Sequence, residues 1–218
     1  MDTNDIVVDA VSATRIVAII RGIDVDRIVP AAQALAVGGI RALEVTFPGT
    51  DAQAVSTISR AIADMVAELP PDVAVGAGTV LTPDQLESAI AAGASFIVSP
   101  DTNPEIIRAT REAGLASLPG AMTATECLAA YRAGATFVKV FPAGRLGPGY
   151  IKDLRGPLPW IPFMAVGAVG LENAKAFLDA GCVGLGIGGS LVKKSLIQAG
   201  RYDELSQLAE TYLNAAKE

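Results

Sequence analysis

The 218-residue chain contains no histidine. That one absence excludes Ser-His-Asp and Cys-His nucleophile systems, His-based zinc sites and imidazole acid/base catalysis. Any chemistry falls to Lys, Glu, Asp, Tyr, Cys, backbone amides or an added cofactor. Cysteine is nearly absent too. Cys127 and Cys182 form no CxxC pair and read as reduced, small apolar residues near helix ends. Basic excess is missing: the net charge of −6 argues against a nucleic-acid surface. No uninterrupted apolar run approaches the roughly 18 residues of a membrane helix. The start, MDTNDIVVDAVSATR, lacks the basic region and apolar segment of a secretory signal. A cytoplasmic location is expected.

What is present is a repeat. AAGASFIV at 91–98, EAGLASLP at 112–119, RAGATFVK at 132–139 and DAGCVGLG at 179–186 share one phrase, with VGGIRALE at 37–44 a looser copy. Each follows a stretch of helical periodicity and precedes a β-rich run, so its glycine reads as the residue just past a helix end. Two further strands, DVAVGAGT at 72–79 and PFMAVGA at 162–168, fill the longer gaps, and IVAIIRG at 16–22 supplies the first. Strands are expected to begin near 16, 42, 72, 96, 116, 137, 163 and 183. Helix-start signals such as TPDQLE, NPEIIR and TATECL lie between them. Eight βα units of about 25 residues predict an α/β fold, the (β/α)8 TIM barrel. It forms one domain over 1–218 with a short N-terminal helical segment. An open doubly wound sheet is the competing architecture.

The repeat also serves as a ruler. Lys139 is the fifth residue after Gly134, and Glu44 the fifth after Gly39. Equivalent caps place both at one strand level. Alternation puts Phe137, Lys139 and Phe141 on one face, and Ala42, Glu44 and Thr46 on the matching face of their strand. Both charges are therefore expected to point into the barrel. A purely structural reading makes them a buried ion pair, although such pairs often add little net stability. A reactive reading notes that burial lowers a lysine pKa. The neutral amine is then a nucleophile that condenses with ketones. A glutamate at the same level can move the protons.

Around these residues the chain closely resembles the 2-keto-3-deoxy-6-phosphogluconate (KDPG) / 4-hydroxy-2-oxoglutarate (KHG) aldolase family, whose members are class I Schiff-base pyruvate aldolases. The resemblance runs from about residue 15 to 215. LEVTF at 43–47, GAGTVLTPDQ at 76–85, VSP at 98–100, PG at 119–120, VKVFPA at 138–143, GPGYIKDLRGPLP at 147–159 and GIGGSLV at 186–192 carry it. It implies that Lys139 is the Schiff-base lysine and Glu44 the general acid/base. Thr79, Pro100 and Phe141 would line the pyruvyl pocket. Gly167 and Ala168 would fall on the glycine pair after strand seven, with Gly189 and Ser190 on the phosphate-holding turn after strand eight. Loops after strands seven and eight are also the common phosphate site of barrels. The implied substrate is a 2-keto-3-deoxy sugar acid, cleaved to pyruvate and an aldehyde without metal or cofactor. KHG and 2-keto-3-deoxy-6-phosphogalactonate are the alternatives, and a homotrimer is the implied assembly.

Two departures stand out. The arginine that many members carry after the EVT segment is replaced by Pro48-Gly49, and Arg21, at the end of strand one, is placed to supply that charge. AVGAVG at 165–170 replaces PTGG, so Val166 lacks a hydroxyl and Ala168 adds a Cβ that restricts positive φ. Arg145 reads as a solvated loop charge. GIGGSL lacks the spacing and later acidic partner of a dinucleotide loop. The rival functions are a sugar-phosphate isomerase without an imine and an idle barrel that binds a small anion.

Overall fold

The glycines of the recurring phrase do end helices. Gly39, Gly93, Gly114, Gly134 and Gly181 all take left-handed backbone angles, with φ from 78° to 104°. The start signals are equally direct. Thr82 and Thr123 each close a reciprocal capping box, with Gln85 and Glu126 respectively, and the Asn103 side chain accepts from Glu105 and Ile106 amides.

The computed structural model describes residues 3–217; the ends of the expected 1–218 domain, residues 1, 2 and 218, lie outside them. Its strands are β1 (Ile16–Ile20), β2 (Ala42–Thr46), β3 (Ala74–Gly78), β4 (Phe96–Val98), β5 (Ala116–Leu118), β6 (Gly120–Ala121), β7 (Val138–Val140), β8 (Phe163–Val166) and β9 (Gly184–Ile187). The helices are α1 (Thr3–Thr14), α2 (Val25–Val37), α3 (Ala52–Glu68), α4 (Pro83–Ala91), α5 (Pro104–Glu112), α6 (Ala124–Arg132), α7 (Ala143–Arg155), α8 (Ala174–Asp179), α9 (Lys194–Gln198) and α10 (Tyr202–Lys217). All strand pairs are parallel, in the order β5-β4-β3-β2-β1-β9-β8-β7-β6.

Eight staves are expected and nine strand segments are observed, for a simple reason. Pro119 lies between β5 and β6 and has no N–H to donate, so the fifth stave is split into a half that pairs β4 and a half that pairs β7. The sheet closes through that stave, and the architecture is a (β/α)8 barrel.

Two apolar cores result. The larger lies between the staves and the outer helices, where Leu43, Val45 and Phe47 of the second unit are buried. The smaller fills the barrel itself with Val17, Ala42, Ala74, Phe96, Leu118, Phe137 and Met164. Val7, Ala10 and Val11 of α1 belong to this inner cluster, so the first helix stoppers the N-terminal end of the barrel. Gly76 makes room for the inner packing: a Cβ there would meet the Phe96 ring at 2.5 Å and under. With the lower half filled, the open end is the C-terminal face, where barrel active sites sit.

Candidate active site

Lys139 and Glu44 both point inward, as the alternation requires, and both are buried, at 8% and 3% exposure. Lys139 on β7 pairs with Gly120 and Met164, while Glu44 on β2 pairs with Ile19 and Gly76. They line one cavity of about 360 Å³ that opens at the C-terminal face. Beneath them lie Val17, Val98, Leu118 and Met164, an apolar floor.

This floor sets the protonation states. Burial lowers the Lys139 pKa below the ordinary lysine value; the Glu44 charge opposes the shift, Arg21 reinforces it and Asp101 opposes it. Burial raises the Glu44 pKa, against the pull of Lys139 and Arg21. Among the described residues no carboxylate is within ion-pair distance of Lys139, and Glu44 Oε2 is buried without a hydrogen-bond partner. The structural ion pair of the simplest reading is thus not formed. What is present is a desolvated amine and a desolvated carboxyl facing one space, each biased toward neutrality. Lys139 Nζ lies 5.1 Å from the centroid of the half-exposed Phe141 ring. Gly78 gives Glu44 its room, since a Cβ at that position would lie 2.6 Å from Glu44 Oε1.

The other expected residues distribute around this pair. Arg21, Pro100, Phe141, Gly167, Ala168, Gly189 and Ser190 all line the cavity. Thr79 does not reach its wall. Its hydroxyl instead accepts a 2.9 Å hydrogen bond from Arg21 Nη2, and its φ of +59° is strained for a β-branched residue. Pro48 lies in a separate cleft beside α3, so the charge at the cavity is the one Arg21 brings from β1. Arg145 is exposed and outside the cavity wall.

At the mouth, Ala168 takes φ +52° despite its Cβ. Asn173 holds the loop in place: its Nδ2 donates to the Ala168 carbonyl at 3.0 Å, and its Oδ1 accepts from the Gly170 amide at 2.9 Å. Ser190 Oγ donates to the Val169 carbonyl at 2.9 Å and ties the two loops together. The backbone amides of Ala168, Gly189 and Ser190 donate to no acceptor among the described residues. All three residues line the cavity, where unpaired N–H groups are available to an anion.

The KDPG and KHG aldolase family matches residues 7–208. The chain belongs to this family. It is 35% identical to the 2-dehydro-3-deoxy-6-phosphogalactonate aldolase of Escherichia coli over 93% of this chain and 95% of that one. With the 2-dehydro-3-deoxy-phosphogluconate aldolase of Pseudomonas aeruginosa it shares 36%, over 88% and 86%. Among solved structures, the KDPG aldolase of Legionella pneumophila superposes with a TM-score of 0.83 at 27% identity, covering 93% of this chain and 96% of that one. In that crystal pyruvate is captured as a covalent carbinolamine intermediate. The chain is accordingly an aldolase, a carbon–carbon lyase.

Sequence reasoning missed part of the wall: Ile19, Val169, Gly186, Gly188 and Glu172. The first four were legible only as strand-end residues. Glu172 sits in the loop before α8, where no strand alternation assigns a direction. Among the described residues no cluster of three or more His, Cys, Asp or Glu side chains could hold a metal ion, and no helix is long and apolar enough to cross a membrane. Cys127 and Cys182 are free and buried, and burial pushes their thiols up to about 11 and about 12.

Proposed function

We propose that the protein cleaves 2-keto-3-deoxy-6-phosphogluconate to pyruvate and D-glyceraldehyde 3-phosphate through a Schiff base on Lys139. The observation that carries this reading is the desolvated Lys139 amine facing Glu44 across a cavity lined by residues with free amides.

The neutral Lys139 amine adds to the C2 ketone, and the carbinolamine loses water to give an iminium. Glu44, neutral until then, releases its proton to solvent as the iminium charge forms beside it, and its carboxylate takes the proton from the C4 hydroxyl. The C3–C4 bonding electrons flow into the iminium, the C4 fragment leaves as an aldehyde, and an enamine of pyruvate remains. Glu44 returns its proton to C3. Water adds to the resulting imine and releases pyruvate and the free amine. The Glu44 relay supplies on the order of 10²–10⁴-fold.

Arg21, oriented by Thr79, binds the substrate carboxylate, and Pro100 and Phe141 pack on the pyruvyl group. The amides at Gly167–Ala168 and Gly189–Ser190 receive the phosphate, as oriented N–H groups do elsewhere. The similarity to a phosphogalactonate aldolase keeps the C4 epimer as a second substrate. A homotrimer in the cytoplasm is the setting the family resemblance supports, and light scattering on the purified chain tests the assembly. Sodium borohydride added with pyruvate should reduce the imine and place a lactyl-type adduct on the peptide holding Lys139. An unmodified peptide under these conditions rules the reading out.

A further inference from the structure

Glu172 is an acidic side chain in the wall of the cavity, in the same mouth as the free amides, yet the reaction above gives it no task. It is an exposed side chain on the loop before α8. The carboxylate folds back over Gly170, where a Cβ would lie 2.5 Å from Glu172 Oε2 and 2.8 Å from Oε1. Gly170 is itself fixed by the Asn173 side chain that shapes the Ala168 turn. Among the described residues Glu172 has no hydrogen-bond or ion-pair partner. Among the described residues, the cationic side chains in the cavity wall are Lys139, buried on β7, and Arg21, exposed just past the end of β1.

Two opposed fields therefore meet at the mouth. The amides of Ala168, Gly189 and Ser190 attract an anion, and the Glu172 carboxylate repels one. Repulsion scales with ligand charge. A phosphate near neutral pH carries −1.5 to −2, so it feels Glu172 strongly. A hydroxyl feels none of this and can donate a hydrogen bond to the carboxylate instead.

We propose that Glu172 is a specificity-determining residue that restrains the preference of the distal subsite for phosphorylated tails and so keeps unphosphorylated 2-keto-3-deoxy acids as substrates. The inference rests on the aldolase reading. It concerns the tail of the substrate and leaves the Lys139 chemistry alone.

The test is a matched pair of substrates, 2-keto-3-deoxy-6-phosphogluconate and the same acid without its phosphate. We take the ratio of their kcat/KM values in the wild type, Glu172→Gln and Glu172→Lys. The ratio should rise in favour of the phosphorylated acid by about tenfold in Glu172→Gln and further in Glu172→Lys, an order set by charge. Added salt should shrink both increments, because exposed charges are screened over about 10 Å at 0.1 M. A ratio unmoved by either variant, or moved equally by both with no salt dependence, overturns the proposal. Failure of borohydride trapping in the wild type instead overturns the aldolase reading, so the two outcomes stay distinct.

Discussion

Arg21 Nη2 donates a 2.9 Å hydrogen bond to the Thr79 hydroxyl, which joins the end of β1 to a strained turn after β3. The bond holds a permanent cation at the cavity, and its charge acts on both buried groups: it lowers the Lys139 pKa and the Glu44 pKa.

A pH profile follows with a definite sign. Imine formation needs the neutral amine, so the rate of pyruvate trapping should rise with pH through a pKa below 10.5, the ordinary lysine value. Arg21→Met removes a charge that lowers this pKa, so its profile should move to higher pH. Glu44→Gln removes a charge that raises it, and that profile should move to lower pH. Trapping rates at fixed pyruvate saturation across pH 5–9 separate the three proteins. Shifts in the same direction would contradict the assigned electrostatics.

Lys139→Met should leave no borohydride adduct and should cut cleavage by at least about 10³-fold, because among the described residues the cavity wall holds no second lysine to form the imine. Circular dichroism should remain that of a folded barrel, since the substitution replaces a desolvated amine with an apolar chain of similar length.

Glu44→Gln should slow cleavage by about 10²–10⁴-fold while trapping persists, which places its role after imine formation. Gly78→Ala offers a second route to the same defect. The new Cβ occupies the carboxylate's space, so cleavage should fall with trapping retained, and the double variant should lose little beyond Glu44→Gln alone.

Ala168→Gly should stabilise the protein by about 1 kcal/mol, because an L-residue at φ +52° pays the left-handed penalty that glycine escapes. At this chain size the gain corresponds to roughly 2–4 °C in Tm. Calorimetry of the two proteins checks it.

Much of this was readable beforehand because the barrel repeats a local rule. Glycine after a helix has one physical use, a left-handed cap, and the repeat at 93, 114, 134 and 181 therefore located strands to within a residue or two. Lys139 and Glu44 were legible for the same reason, since strand alternation assigns each side chain a face. Of the residues that escaped notice, Glu172 reaches the cavity from a loop where no period operates. Thr79, expected on the pyruvyl pocket, instead turns aside at positive φ to hold Arg21. The split at Pro119 depends on which neighbour each half of the stave pairs with, a property of closure that no local pattern encodes.

The stopper formed by Val7, Ala10 and Val11 of α1 turns the barrel into a blind well. Everything enters and leaves by one rim, so traffic through it is ordered by depth. In the proposed reaction the aldehyde, nearest the rim, departs first, and pyruvate, tethered at the bottom, departs last. In the reverse direction pyruvate must go down first, since an aldehyde already seated at the rim would block its descent.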